Sequence, residues 1–548
     1  MKLGYGPSRV STARPPISVA EALSRSAFHP GSPPVSVHET HTAWVFLAGD
    51  RAYKVKKPVR MDFLDFSTLE RRRTICLEEI RLNHELAPTL GMRLRAVVPL
   101  ADSYVLMEPD ASGAVEYAIE MRRFDERHTM AALAERGELA DDQVRAVAAR
   151  VAAFHAAAPV RTPDDPAGDV KGACDHNARE LYALVDDAAA RRVLAVERFT
   201  GAFLVNHRAE IAARAVAGQV RDGHSDLRAE HVVLEDPITI IDRLEFDARL
   251  RTIDVADDLA FLAMDLERLG ASRAARVLVA SYRDAGGDPG SDALLAFYGT
   301  YRALVRTKVA LLRAAQLDDP AAAAAAREQA DALLALAERL AWRARGPLVL
   351  AVGGPPASGK SRLAHALSHH SGWPILSSDV LRKRWRGLDL GAKAPHDDYT
   401  LDARTIVYRD LGDRARAAVI IGQGIVIDAT FGEPRLRAAF LDALGPGQPL
   451  RALECRTPAA TRERWARERE RAPADAHGSD ADPTVAARLG ERHSGWDELP
   501  QDTILTLRPG GDTEPLVDQV ADWLDTRPSV VCHAAARPAT EDAHTTGD

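Results

Sequence analysis

The residue pattern predicts a two-domain chain, a mixed α+β region over residues 18–342 followed by an α/β parallel-sheet domain over 343–526. Three observations carry this expectation. At 548 residues the chain exceeds what one hydrophobic core supports. Strand signals crowd residues 34–124, and helical periodicity then dominates to residue 342. At Arg343–Pro347 the pattern switches abruptly to strands alternating with helices, the mark of a parallel sheet.

In chain order, residues 1–17 are rich in Pro, Ser and Gly and are expected to be disordered. SVHETHTAWVFLAGDRAYKVKKPV alternates β-branched and aromatic residues and breaks at Gly49-Asp50, a hairpin turn. STLERRRTICLEEIRLNHELA opens with a Ser67/Glu70 capping box and continues with helical spacing. Further strands are expected at 95–100, 104–107 and 116–124. Helices are expected over 141–158, in the Ala/Arg-rich stretch 176–218, and several times over 255–342. In the second domain the strands fall at 374–376, 424–428 and 449–455 with helices between them, and the tail 527–548 is expected to be disordered.

Composition excludes several classes. A formal net charge of −8 leaves no overall basic footprint for nucleic acid. Four scattered cysteines, without CxxC or Cys/His pairing, argue against a disulfide framework or structural zinc and fit a reducing cytoplasm. The N-terminus lacks the apolar core of a secretory signal, and no apolar run spans a bilayer. A cytoplasmic protein is expected, with its oligomeric state open. Only nine of the 71 basic residues are lysines, so a lysine here points to a need for a compact ammonium, as at Lys54, Lys56, Lys57 and Lys360.

Gly354-Pro-Pro-Ala-Ser-Gly-Lys-Ser361 matches G-x-x-x-x-G-K-[ST] without a gap, between the apolar strand LVLAV and the helix SRLAHAL. Gly354, Ser358 and Gly359 shape a turn whose N–H groups point at phosphates. Lys360 reaches the β/γ oxygens, and the Ser361 hydroxyl suits Mg²⁺. ATP and Mg²⁺ are therefore the expected cofactors. Nineteen residues after Lys360, Ser377-Ser378-Asp379-Val-Leu-Arg382 places a carboxylate where it can take the proton of an acceptor hydroxyl, with Arg382 holding an anion; capping of the next helix by Ser378 or Asp379 is the other reading. GIVIDAT delivers Asp428 to a strand end, as an Mg²⁺ partner, a substrate contact or a cap. Arg464 and Arg467, one turn apart, suit either a phosphate-covering lid or a solvated helix.

Together these features resemble the P-loop kinase group of polynucleotide, gluconate and chloramphenicol kinases and zeta-type toxins, over about residues 346–526. The resemblance implies that Asp379 acts on the acceptor and that Arg437 contacts phosphate.

In the first domain, Gly223-His224-Ser225-Asp226-Leu227-Arg228-Ala229-Glu230-His231 is followed by ITIIDRLEF, with Asp242 and Glu245. One carboxylate on a tight loop can orient a hydroxyl while another beyond a hairpin holds metal. The segment resembles the catalytic loop of the aminoglycoside phosphotransferase branch of the protein-kinase-like fold, HGDLHxxN then IDxE. The resemblance implies a bilobal kinase-like module in which Asp226 is the catalytic base, Asp242 binds Mg²⁺ with His231 in the asparagine position, and Lys54 with Glu79 forms the nucleotide-binding ion pair. Ser225 stands in the glycine position, and the Gly49 turn takes the place of a glycine-rich loop. The joint order resembles bacterial bifunctional aminoglycoside phosphotransferase/ATP-binding proteins. Three functions fit: an ATP-dependent phosphotransferase acting on a small hydroxylated substrate, an ATP-binding protein regulated by an N-terminal pseudokinase, and a P-loop ATPase that drives a conformational change.

Overall fold

The computed structural model describes residues 17–29, 31–40, 42–61, 64–389, 395–470 and 493–527. The terminal segments expected to be disordered fall outside this range, apart from Ile17 and Arg527. The chain divides into two compact units that interleave: residues 1–169 with 209–303, and 170–208 with 304–548. The sequence pattern changes at Arg343, but compactness groups two earlier helical stretches with the parallel sheet.

The first unit holds a six-stranded antiparallel sheet in the spatial order Val35–Glu39, Ala43–Ala48, Arg51–Lys56, Glu116–Arg122, Arg93–Leu100, Ser103–Met107. The Gly49-Asp50 turn is where expected, with Gly49 in the left-handed region at φ 61°. The sheet is buried on both faces. Phe46, Tyr53, Val55 and Ala118 pack toward the short helix Val19–Leu23. Their neighbours Leu47, Ala52, Ile119 and Met121 pack on the other face, with Cys76 of helix Leu69–Leu86. Successive strand residues point to opposite faces, so a doubly covered strand reads as an unbroken apolar run. Helix Leu69–Leu86 is capped by Thr68, whose hydroxyl accepts from Arg71 N–H; Ser67, the expected cap, bonds Asp65 instead. Helices Asp141–Ala157, Val255–Arg268 and Ser272–Asp284 pack into the unit's other core.

Helix Leu69–Leu86 carries Glu79, 1% exposed, to the sheet. Its carboxylate pairs with Lys54 Nζ at 2.8 Å and Lys56 Nζ at 2.6 Å. Lys56 meets a second carboxylate, Glu245, at 2.5 Å.

The second unit is built on five parallel strands in the order Ile375–Ser377, Ile425–Asp428, Val349–Gly353, Leu450–Cys455, Ile504–Leu507. The fifth strand was not expected from sequence; it is short and half-buried at the sheet edge. Val349, Ala351, Ile425 and Ile427 face helices Leu401–Ile420 and Pro434–Leu444. Leu350, Val352, Val426 and Leu453 face helices Lys360–Ser371 and Glu514–Asp525. Trp342, at the end of helix Pro320–Arg345, packs edge-on against Trp373. Arg345 forms a two-point ion pair with Asp525 at 2.6 and 2.8 Å, and Arg192 pairs with Glu338 at 2.7 Å. These contacts tie helices Asp187–Asn206 and Pro320–Arg345 into the unit. No helix among the described residues is long and apolar enough to cross a membrane.

Removing the shared carboxylate tests the buried cluster of the first unit. Glu79→Ala leaves two buried ammonium groups short of a partner and should destabilise this unit by about 3–5 kcal/mol. Urea titration, with amide exchange of helix Leu69–Leu86 as a local readout, checks it; a loss below about 1 kcal/mol would refute the cluster's importance.

Candidate functional site

The loop after strand Val349–Gly353 takes a backbone path that requires glycine at its two ends. Gly354 sits at φ 145°, and a Cβ there would lie 2.7 Å from Ser358 Oγ and 2.8 Å from the Cys455 carbonyl. Gly359 sits at φ 87°, and its Cβ would lie 2.8 Å from Pro509. Ala357 is left-handed as well, at φ 60°. Such turns align successive N–H groups toward one point. The helix that follows begins at Lys360, adding the positive end of its dipole. Thr457 Oγ1 donates to the Ser358 carbonyl at 2.8 Å and braces the loop from beyond the neighbouring strand.

The expected partners converge here. Asp428 ends strand Ile425–Asp428 fully buried, next to the loop strand. Burial raises its carboxyl, against the opposing pull of Lys360 and a hydrogen bond from Ser361. Its Oδ1 has no hydrogen-bond partner, and neither has the buried Ser358 Oγ. A buried polar atom without a partner costs on the order of 1–3 kcal/mol, a deficit that a bound ligand removes. The charge of Asp379 also reaches Asp428 and Tyr408. Helix Ser378–Trp385 is capped at Ser377 with no side-chain cap bond, so Asp379 is not spent on capping. Its Oδ1 accepts from Arg382 Nη2 at 2.9 Å, and Arg382 lies 4.5 Å over the Tyr399 ring. Beside the loop a small pocket is bounded by Pro355 and Pro356, by Thr430 and Gly432, by Arg404 and Glu433, and by His493.

Three expected phosphate-contacting arginines are placed otherwise. Arg437 is fully buried and spends its guanidinium inside the protein: on Glu498 at 2.7 and 2.9 Å, on the Phe431 carbonyl at 3.0 Å, and on Ser494. A nucleotide cannot reach it without displacing these partners, so the phosphate contact is corrected to a scaffold role. Arg464 and Arg467 lie on helix Ala459–Glu470, two-thirds exposed and loosely paired with Glu468 and Glu463 at 3.8 Å. In this structure they are the solvated alternative, with pairs worth well under about 1 kcal/mol. Thr457, His493 and Trp465, whose ring would be 3.4 Å from a Cβ on Gly359, were not singled out from sequence. They belong to no spaced motif and lie more than ninety residues beyond the loop.

The second cluster, in the first unit, brings together every residue that the sequence assigned to it. Ser225 sits at φ 69°, the left-handed region that explains a glycine preference there. His224 is buried and pushed down to about 4, chiefly by burial. Yet the site is closed by its own cations. Asp226 is gripped by Arg228 through both oxygens at 2.9 and 3.0 Å. Arg228 Nη2 also donates to His231 Nε2 at 2.9 Å, and His231 Nδ1 in turn donates to the Asp226 carbonyl at 2.8 Å. An arginine only donates, so the lone pair on Nε2 is taken. Asp242 Oδ1 accepts from Lys54 at 2.8 Å, an ammonium that holds the carboxyl far below its ordinary range despite burial. His231 Nε2, Asp242 Oδ1 and both Asp226 oxygens are thus engaged within the chain at the positions where metal-ligand and base roles were expected. Among the described residues no group of three or more His, Cys, Asp or Glu is arranged to hold a metal ion.

The family described as an AAA domain matches residues 349–509. Proteins Rv2004c of Mycobacterium tuberculosis and Mb2027c of Mycobacterium bovis, both described as uncharacterized, are each 34% identical over 480 residues, 85% of this chain and 91% of the relative. The chain belongs to the family of these mycobacterial proteins. Among solved structures, a gluconokinase from Sinorhizobium meliloti is 16% identical over 33% of this chain and 94% of its own, with a TM-score of 0.25. A choline/ethanolamine kinase family protein from Mesorhizobium loti is 15% identical over 58% of this chain and 98% of its own, with a TM-score of 0.33.

The closure in the first unit makes a direct prediction. Arg228→Ala removes the guanidinium from Asp226 and from His231 Nε2, which lies 3.7 Å from Asp242 Oδ2. With nucleotide absent, Mn²⁺ titration followed by electron paramagnetic resonance should show one site that the unmodified chain lacks, lost again on adding Asp242→Asn. Equal Mn²⁺ binding by the unmodified and Arg228→Ala proteins would show that the guanidinium does not close the site.

Proposed function

We propose that the P-loop unit is an ATP- and Mg²⁺-dependent phosphotransferase that moves the γ-phosphoryl group of ATP onto a hydroxyl of a small molecule. One observation carries this reading. Around residues 354–361 the polar atoms Asp428 Oδ1 and Ser358 Oγ are buried without partners, beside Lys360, Ser361 and an anion-directed turn. The first unit's cluster is instead paired within the chain.

The roles follow from the chemistry of the groups. The loop amides and Lys360 grip the β- and γ-phosphates. The orphaned Asp428 oxygen and the Ser361 hydroxyl fit Mg²⁺, which when bound neutralises charge on the phosphate oxygens. Asp379 accepts the acceptor's proton as the hydroxyl oxygen bonds to phosphorus and the bridging oxygen leaves with ADP. Arg382 Nη2, donating to Oδ1 at 2.9 Å, orients that carboxylate. The Arg228–Asp226 pair favours a second reading for the first unit, a kinase-shaped module that binds or regulates and does not transfer phosphate.

In the full chain, Lys360→Ala should weaken ATP binding by about 100-fold, the loss of a charged contact worth ~3 kcal/mol, measured by calorimetry. Asp379→Asn should keep ATP affinity while lowering acceptor-stimulated turnover by about 10²–10⁴-fold, read as ADP release with sugars and nucleosides as trial acceptors. Unchanged ATP affinity in the lysine variant sinks the site. Hydrolysis at one rate with or without acceptor, insensitive to Asp379→Asn, would make the unit an ATPase.

A further inference from the structure

His493 closes the pocket beside the P-loop, and the chain invests in its placement. Glu454, near the end of strand Leu450–Cys455 and 4% exposed, sets Oε1 3.8 Å from His493 Nε2, while its other oxygen pairs with Arg456 at 3.0 Å. His493 and Arg456 hold the Glu454 carboxyl below its ordinary range against the opposing effect of burial. The next residue is pinned: Ser494 N–H donates to the Gly432 carbonyl at 3.0 Å, and Arg437 Nη1 donates to the Ser494 carbonyl and hydroxyl at 3.2 and 3.0 Å. Trp496 then packs on Phe431 with ring centroids 4.8 Å apart. Two glycines make the room: a Cβ on Gly432 would stand 2.6 Å from His493 Nδ1, and one on Gly495 would stand 3.2 Å from Glu454 Oε1.

A buried carboxylate behind an imidazole costs desolvation, and a histidine that merely fills space needs none. At 3.8 Å the carboxylate acts through its charge and not through a hydrogen bond: it favours the proton on Nε2, which leaves Nδ1 as an acceptor for a proton-bearing ligand. The other charged groups at the pocket, Arg404 and Glu433, are already paired with each other at 2.5 Å. Among the described residues, that leaves no unpaired cation on this wall for an anionic ligand.

We infer that His493, oriented by Glu454, is a second acceptor-contacting side chain of the P-loop pocket besides Asp379, and that it receives a neutral hydroxyl group. This rests on the phosphotransferase reading and adds to it the residue and the chemical class on that wall.

The test follows the imidazole itself in the full chain labelled with ¹⁵N-histidine, its resonances assigned by their loss in His493→Gln or, should that variant not fold, in His493→Asn. Mg²⁺, ADP and aluminium fluoride, which together fill the γ-phosphoryl position, should shift the His493 signals and should not do so in Lys360→Ala. Glu454→Gln should move the ¹⁵N shifts of the two His493 ring nitrogens toward a mixture of tautomers, because a neutral amide no longer favours the proton on Nε2, while Arg456, Arg404 and Glu433 remain in place. Nucleotide mimic bound by calorimetry with His493 signals unmoved, or ¹⁵N ring shifts unchanged in Glu454→Gln, overturns the inference and leaves the phosphotransferase reading standing. Absence of nucleotide binding would instead overturn that reading.

Discussion

Charge taken out of water must be compensated, and this demand organises both halves of the molecule. In the first unit Glu79 lies between Lys54 and Lys56, with Asp242 and Glu245 completing the alternation of sign. Every member of that chain of contacts is answered from within the protein. Around Gly354–Ser361 the account is left open: a buried aspartate oxygen and a buried serine hydroxyl face no partner of their own. One cluster is complete as folded, whereas the other is shaped around something still to arrive.

The same contrast explains why a single sequence can carry two phosphotransferase-like signatures with different outcomes. A signature fixes which side chains meet, not what each of them then binds. Asp226, Asp242, Lys54 and His231 do meet, but Arg228, two residues past the aspartate, turns back onto it. Asp379 also pairs with an arginine three residues on, yet through one oxygen only. The geometry of one guanidinium separates a closed cluster from an open one.

Much of this was legible in the sequence. The P-loop was, because fixed glycine spacing reflects backbone angles that other residues avoid. Asp428 was, because ligands gather where parallel strands end. The scarcity of lysine singled out Lys54 and Lys56 as needed ammonium groups, and both pair with Glu79. Local register was less legible, since Thr68 and Ser67 are equally good caps on paper and only the folded turn selects Thr68. Arg437 and His493 were beyond reach: the partners of Arg437 lie at Ser494 and Glu498, some sixty residues away. No periodicity connects such positions; only the sheet brings them together.

The interleaving of the two units has a practical side. The chain passes from one unit to the other three times, near residues 169, 208 and 303, so no single cut yields both halves whole. A fragment begun at the change of pattern near residue 343 would lose Trp342 from beside Trp373 and Arg192 with Glu338. It would also strip Arg198 from Asp522 at 2.9 Å and Asn206 from the Asp525 carbonyl at 3.0 Å. Helices that look like the tail of one domain serve as the flank of the other, which ties the inheritance of the two halves together: recombination at the visible seam would deliver a parallel sheet whose covering helices Lys360–Ser371 and Glu514–Asp525 had lost their outer layer.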